Sequence, residues 1–394
     1  MSIRSTVDHG WRFLTDYSSP KLVSAILRNH LAYRWDLATP VPVGYVSFAP
    51  TLRCTSRCIM CSIWGEDFQT LKSKELSYNQ WLKVFSESAV LRQVPIELPR
   101  AGVTGIGVSG GEPFLYQDIV PLVEGLLDLP DVRLVTVASN GQLTDRVVSC
   151  VETMLPRMAK QKRLRIRCSL DGPEDIHDQV RGVPQAFRRT WATVQTLLQL
   201  RRDHPQLEVL TAAVVQPKNV DYIEEFSRHL ADQGVPFDWC VLQVGPFFRN
   251  ENAGYGYHGY TSEQIQELLR LCDSNNVYGM RQWLTRPERR PLHCFAGFAS
   301  VYISFDGSVH PCQTMATNPE RVMGNVSDKP FDTIWNSAHA GVVRQRVRKC
   351  THSGCWSGCE LAHTFIQWDV VQKLTKIATL GNLDYYRICG LKQR

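Results

Sequence analysis

Cys54, Cys58 and Cys61 are separated by three and then two residues, close enough for one loop to carry all three thiols. Thiolates at this spacing can wrap a single iron-sulfur cube and leave its fourth iron without a protein ligand. An open iron can take up another molecule, which catalysis at a metal requires and a closed structural site denies. The alternatives are three unrelated loop cysteines or a zinc site, but zinc normally draws paired ligands from two separated places. Five more cysteines gather late in the chain. Cys294 and Cys312 flank Phe305, Asp306 and Gly307, a turn signal of the kind that closes a β-hairpin, and Cys350, Cys355 and Cys359 follow.

The surroundings of these thiols are set by the rest of the chain. Thirteen cysteines in 394 residues are too sparse for a disulfide-stapled miniature fold. A composition of 43% hydrophobic and 21% charged residues excludes a largely disordered or fibrous protein. The balance of 44 basic and 38 acidic residues, net +6, is mild and dispersed, so nucleic acid is not an expected partner. No apolar run approaches the roughly 18 residues of a membrane helix, and the first residues lack the apolar centre of a secretory signal. The expected location is the cytoplasm, without a membrane partner, where thiols stay reduced and clustered cysteines serve as metal ligands or catalytic groups.

Positioning falls to a repeated strand-helix order. Leu22, Val23, Ile26, Leu27, His30 and Leu31 recur at helical spacing after Ser19 and Pro20, and Pro40 and Pro42 end that helix. Strands are then expected near 43–49, 103–109, 132–138, 164–170, 208–215 and 238–243. Helices are expected near 78–91, 116–127, 144–157, 187–202 and 220–233, each long enough for a parallel crossover. Six units fall short of a closed eight-unit barrel, so the expected fold is α/β, a partial (β/α)6 TIM-like barrel with chemistry at the carboxyl ends of its strands. A small β-hairpin and helix domain follows. The expected division is a helical segment at 1–42, the barrel at 43–246, a linker with a helix near 262–273 at 247–290, the second cysteine domain with a helix near 331–348 at 291–365, and a tail at 366–394.

With its cysteines placed after the first strand, the stretch 43–246 resembles the radical S-adenosylmethionine (radical SAM) superfamily. Gly110, Gly111, Glu112 and Pro113 look like that family's GGEP element, which holds the methionine amino group of the cofactor. Glycines admit close backbone approach, and Glu112 would supply a charge-assisted acceptor for an ammonium. The resemblance implies further cofactor contacts from Asn140, Ser169 and Asp171 at the ends of the third and fourth strands. Arg181 would take the carboxylate, its alternative being a surface ion pair with Asp175 or Asp178. Met60 stands where many relatives have an aromatic residue near adenine, and its flexible thioether can fill that place. The implied chemistry is reductive cleavage of S-adenosylmethionine on a [4Fe-4S] cluster held by three cysteines, yielding a 5′-deoxyadenosyl radical that abstracts hydrogen from substrate.

The late cysteines are similar to the auxiliary-cluster domains called twitch and SPASM. A full SPASM pattern has more cysteines than the five here, so one auxiliary [4Fe-4S] cluster is expected, with zinc as the alternative. Its expected ligands are Cys294, Cys312 and Cys359, with Cys355 ahead of Cys350 for the fourth place. The spare, Cys350, and His310 are candidates for a catalytic role beside substrate, and Asp306 reads as the turn residue. Cys150, Cys168, Cys240 and Cys272 read as buried small hydrophobes and Cys389 as a free thiol. Arg344, Arg346, Arg348 and Lys349 either attract an acidic electron donor of the flavodoxin or ferredoxin type or form a solvated helix end. Phe247, Phe248 and Tyr260, with Trp368, Tyr385 and Tyr386, either line a substrate pocket or pack.

Because only about 43 residues precede the barrel, the expected substrate is a small molecule, a sugar, aminocyclitol or nucleotide, oxidised by two electrons with help from the auxiliary cluster. The alternative is a maturase that crosslinks, epimerises or oxidises a ribosomally made peptide. A non-catalytic electron carrier is a distant third, having no use for GGEP or an open iron.

Overall fold

Short β-branched runs alternate with amphipathic helices, and in the computed structural model they fold into a layer of parallel strands with helices packed outside. Residues 20–35, 44–92, 105–251, 259–274 and 294–350 are described. The elements in chain order are α1 (Pro20–Trp35), β1 (Tyr45–Thr51), α2 (Phe68–Lys74), α3 (Tyr78–Glu87), α4 (Ala89–Arg92), β2 (Ile106–Gly110), α5 (Ile119–Asp128), β3 (Leu134–Ser139) and α6 (Thr144–Met154). There follow β4 (Arg163–Ser169), α7 (Glu174–Arg181), α8 (Ala186–Asp203), β5 (Leu207–Val215), α9 (Ile223–Asp232), β6 (Phe237–Val241) and α10 (Ser262–Ser274). The last are β7 (Ser300–Ile303), β8 (Ser308–His310), β9 (Gly324–Asn325), α11 (Phe331–Trp335) and α12 (Ala338–Arg348).

Strands β1 to β6 pair in parallel and in sequence order, as crossover helices demand. The late hairpin continues this sheet. Strand β7 pairs in parallel with the free side of β1, and β8 and β9 follow antiparallel, giving nine strands in the order β6-β5-β4-β3-β2-β1-β7-β8-β9. The second cysteine region is thereby hydrogen-bonded to the strand that delivers the first.

One apolar core runs through both regions, from Phe48, Trp81 and Phe114 to Phe295, Phe298 and Trp335. Burying each such side chain stabilises by roughly 1.5–3 kcal/mol. Helix α1 joins at the late end, where Tyr33 stacks on Phe295 with centroids 4.7 Å apart.

Two expected helices are each broken in two by a cap. The stretch near 78–91 stops at Glu87 because the Asp332 carboxylate accepts from Ala89 N at 2.9 Å and from the Ser88 hydroxyl, starting α4 afresh. Between α11 and α12 the Ser337 hydroxyl accepts from Ala340 N at 3.0 Å, an N-cap that restarts the chain. Helix α7, absent from the sequence expectation, buries His177, Val180 and Arg181 on one face.

Candidate active site

The cysteine loop leaves β1 at Thr51 and is fastened on several sides. Arg53 holds Glu75 through Nε and Nη2 at 2.8 and 3.0 Å, and Nη2 also donates to Leu115 O at 2.9 Å. The amides of Arg57 and Ile59 donate to Arg181 O and Val180 O at 2.8 and 3.0 Å, at the end of α7. Asn250 Nδ2 donates to Met60 O at 3.0 Å. Gly182, at φ +63°, ends α7 so close to the loop that a Cβ there would lie 2.2 Å from Arg57 O. Gly111 is under the same constraint from the other side: its amide donates to Thr51 O at 3.0 Å, and a Cβ would meet Arg53 O at 2.2 Å.

The three thiols open onto one cavity of about 270 Å³ at the carboxyl ends of the parallel strands. Gly110, Gly111, Asn140, Ser169 and Arg181 share its wall. Among the described residues no Asp or Glu lines it, and no group of three His, Cys, Asp or Glu is placed to hold a single metal ion. Burial, reinforced by the neighbouring sulfurs, pushes the Cys54 thiol up to about 11 and Cys61 up to about 12, so both are protonated near neutral pH. Soft thiols spread around one cavity fit an iron-sulfur cube, whose binding would displace those protons.

The two acidic residues assigned to the cofactor from sequence lie behind the cavity wall rather than on its surface. Glu112 is fully buried, and its carboxylate accepts from Phe114 N at 3.2 Å, Ser139 Oγ at 2.9 Å and Asn140 N at 2.7 Å. Burial outweighs those bonds and pushes Glu112 up to about 7. Asp171, also fully buried, accepts from Val214 N at 3.0 Å and from Arg181 Nε at 2.6 Å. Arg181 is therefore buried on Asp171, and neither Asp175 nor Asp178 is its ion-pair partner. His177 comes within 3.6 Å of Asp171, but burial lowers its pKa to about 4, and its neutral Nδ1 accepts from the Asp171 amide at 3.1 Å. Pro113 starts the short turn behind Glu112 and is buried.

In the late region Cys294 and Cys312 come together in one small cluster with Ala296 and Val347. Cys350 follows the end of α12, its amide donating to Val347 O at 2.9 Å. Cys355, Cys359, Cys389, Trp368, Tyr385 and Tyr386 lie outside the described residues. His310 is buried beside Tyr302, with ring centroids 6.2 Å apart, and does not line the cavity. Burial lowers its pKa to about 4, so it is neutral at pH 7. Of the cationic end of α12, Arg344 is turned inward, donating to Gly297 O and Trp335 O at 2.6 and 2.8 Å over the Trp335 ring, while Lys349 is exposed.

Sequence reasoning missed part of the cavity wall. Cys240, read as a buried hydrophobe, lies on it beside Gln243 at the end of β6, and Trp64 lines the opposite loop. The signal for Cys240 is its place at the carboxyl end of a parallel strand, where Val241, Leu242 and Gln243 also reach the wall. Phe248 lines the cavity, whereas Phe247 packs edge-on against Tyr302 at 5.5 Å.

Comparison with known families decides what this arrangement belongs to. The Radical SAM superfamily matches residues 48–230, and the SPASM iron-sulfur cluster-binding domain matches residues 294–360. Together they span more than half of the chain. The chain belongs to the radical SAM superfamily. A molybdenum cofactor biosynthesis protein of Caenorhabditis elegans is 25% identical over 59% of this chain, and the chain spans 36% of that relative. The sporulation killing factor maturation protein SkfB of Bacillus subtilis is 24% identical, with 78% of this chain and 69% of SkfB covered. Among solved structures, Streptococcus suis SuiB bound to S-adenosylmethionine matches with a TM-score of 0.56 at 14% identity, covering 80% of this chain and 71% of SuiB. That likeness is one of fold, the parallel sheet with its outer helices. As a radical SAM enzyme the chain takes a four-iron cluster with S-adenosylmethionine, and its SPASM segment implies auxiliary iron-sulfur clusters. No helix among the described residues is long and apolar enough to cross a membrane.

Proposed function

We propose that this radical SAM enzyme modifies a peptide, with Cys54, Cys58 and Cys61 as ligands of the first cluster and Cys294 and Cys312 among those of the auxiliary site. The observation that carries the peptide reading is the match to SkfB, named for maturation of the sporulation killing factor, over 78% of the chain, more than the barrel alone provides. SuiB, similar in fold, has been solved with its precursor peptide SuiA. This reading reverses the expectation of a small-molecule substrate, which rested on the few residues before the barrel.

When bound, the cluster and cofactor supply the radical that removes hydrogen from substrate. The chain's residues orient and enclose them. Gly110 and Gly111, packed against the cysteine loop, form the wall that faces the methionine moiety, and Glu112, buried just behind them with room for one more donor on its carboxylate, is the group assigned to the amino nitrogen. Arg181, held by Asp171, offers its remaining N–H donors to the carboxylate. Met60, Leu242 and Trp64 give the wall an apolar part that excludes water.

Substrate-stimulated formation of 5′-deoxyadenosine tests the choice. Short peptides encoded beside the gene are expected to stimulate it and to lose hydrogen, read by mass spectrometry. Stimulation by aminosugars, aminocyclitols or nucleotides, with the peptides inert, would overturn the peptide reading.

A further inference from the structure

Two of the three thiols in the cavity meet side-chain N–H groups. Arg181 Nη1 lies 3.7 Å from Cys58 Sγ, and Asn140 Nδ2 lies 3.8 Å from Cys54 Sγ, which also accepts from Ser56 N at 3.4 Å. Neither donor is loosely placed. Arg181 Nε is fixed on Asp171 Oδ2 at 2.6 Å, and the other Asp171 oxygen is fixed on Val214 N at 3.0 Å. Asn219 Nδ2 grips the Asp171 carbonyl at 2.8 Å. Asn140 is fastened throughout, its amide donating to Glu112, its Oδ1 accepting from Gln142 N at 2.9 Å, and one Nδ2 proton donated to Thr55 Oγ1 at 2.9 Å, which leaves the other for Cys54.

Holding an arginine and an aspartate together in a dry interior does not in itself stabilise a fold relative to apolar residues of the same size. Aiming a guanidinium N–H at a thiolate has a different effect. Donation to a sulfur ligand favours the more negative, reduced form of an iron-sulfur cluster and raises its reduction potential.

We infer that Asp171 and Arg181, with Asn140, set the reduction potential of the first cluster by donating to the thiolates of Cys58 and Cys54. Arg181 acts on the ligand sulfur, and Asp171 is a positioning residue that acts through Arg181. The reaction served is the one-electron reduction that precedes cofactor cleavage, the electron coming from a flavodoxin- or ferredoxin-type donor. The inference rests on the ligation proposed above and is independent of the peptide reading. Iron retained in full when the three cysteines are replaced would remove the ligation; an unmoved potential removes only the tuning.

The test is an EPR-monitored redox titration of the anaerobically reconstituted full chain without S-adenosylmethionine. The first-cluster signal is identified by its change when the cofactor is added afterwards. In the double variant Asp171→Asn/Arg181→Met, which removes the donor without leaving an unpaired charge, the ratio of reduced to oxidised cluster at the wild-type midpoint is expected to fall about tenfold, a shift of about 59 mV to more negative potential. Asn140→Ser, a milder change, is expected to shift the same ratio in the same direction by a smaller factor, and it decides the matter if the double variant fails to hold iron. Wild-type midpoints in the variants that hold iron, with only the affinity for S-adenosylmethionine reduced, would show that these side chains serve the cofactor alone and would overturn the inference.

Discussion

Alanine at Cys54, Cys58 and Cys61 together is expected to lower the iron of the reconstituted protein from about eight to about four atoms per chain, because two four-iron clusters are reduced to one. The remaining iron would sit in the late region, where Cys294 and Cys312 are already brought together by the hairpin that β7 anchors to β1. Iron and sulfide analysis reads the count. Zinc in the triple variant, with no iron, would mark the late site as structural zinc. A count well above eight in the intact protein would mean that the SPASM segment holds more than one auxiliary cluster.

Glutamine at Glu112 is expected to weaken S-adenosylmethionine binding by about 1.5–3 kcal/mol, the range for a hydrogen bond to a charged group. The effect should depend on pH. Burial raises the Glu112 pKa to about 7, and the carboxylate must be ionised to take an ammonium. Between pH 6 and pH 8 wild-type binding should therefore tighten about tenfold more than binding by Glu112→Gln, whose slope reports only the cofactor's own titration. Stability of the cofactor-free chain moves the other way. A raised carboxyl pKa means that the folded state holds more protons than the unfolded state, so this group's contribution falls as pH rises from about 4.5 through about 7. Identical pH slopes, measured by equilibrium dialysis of labelled cofactor, would take Glu112 out of the cofactor site.

The parts of this site that were legible in the sequence are those fixed by local chemistry. Cysteine spacing places three thiols on one loop, a signal that lies within a few residues, whereas the close approach of Gly111 is to that loop's backbone, which GGEP alone does not announce. Strand-helix alternation likewise reveals the parallel sheet, since a helix-length crossover brings each strand back parallel to the one before it. What escaped depends on residues distant in sequence. Arg181 has acidic neighbours on its own helix, yet it is paired with Asp171 across the preceding turn, and only the fold shows that Val214 fixes the other oxygen. Asp332 caps a helix some 240 positions earlier in the chain, which no periodicity in 78–91 announces. The pairing of β7 with β1 was invisible for the same reason: a four-residue apolar strand carries no mark of its partner. Arg344 looks solvated in a run of cations, and its burial over Trp335 follows only from the packing of α12 on α11.

Formation of 5′-deoxyadenosine from S-adenosylmethionine by the reduced, anaerobically reconstituted chain, with no substrate added, measures most directly whether the cavity holds a three-cysteine cluster with an open iron. The account predicts slow release of 5′-deoxyadenosine and methionine in equal amounts, and none from Cys58→Ala. Intact S-adenosylmethionine after incubation with fully loaded, reduced protein, or equal cleavage by Cys58→Ala, would contradict it.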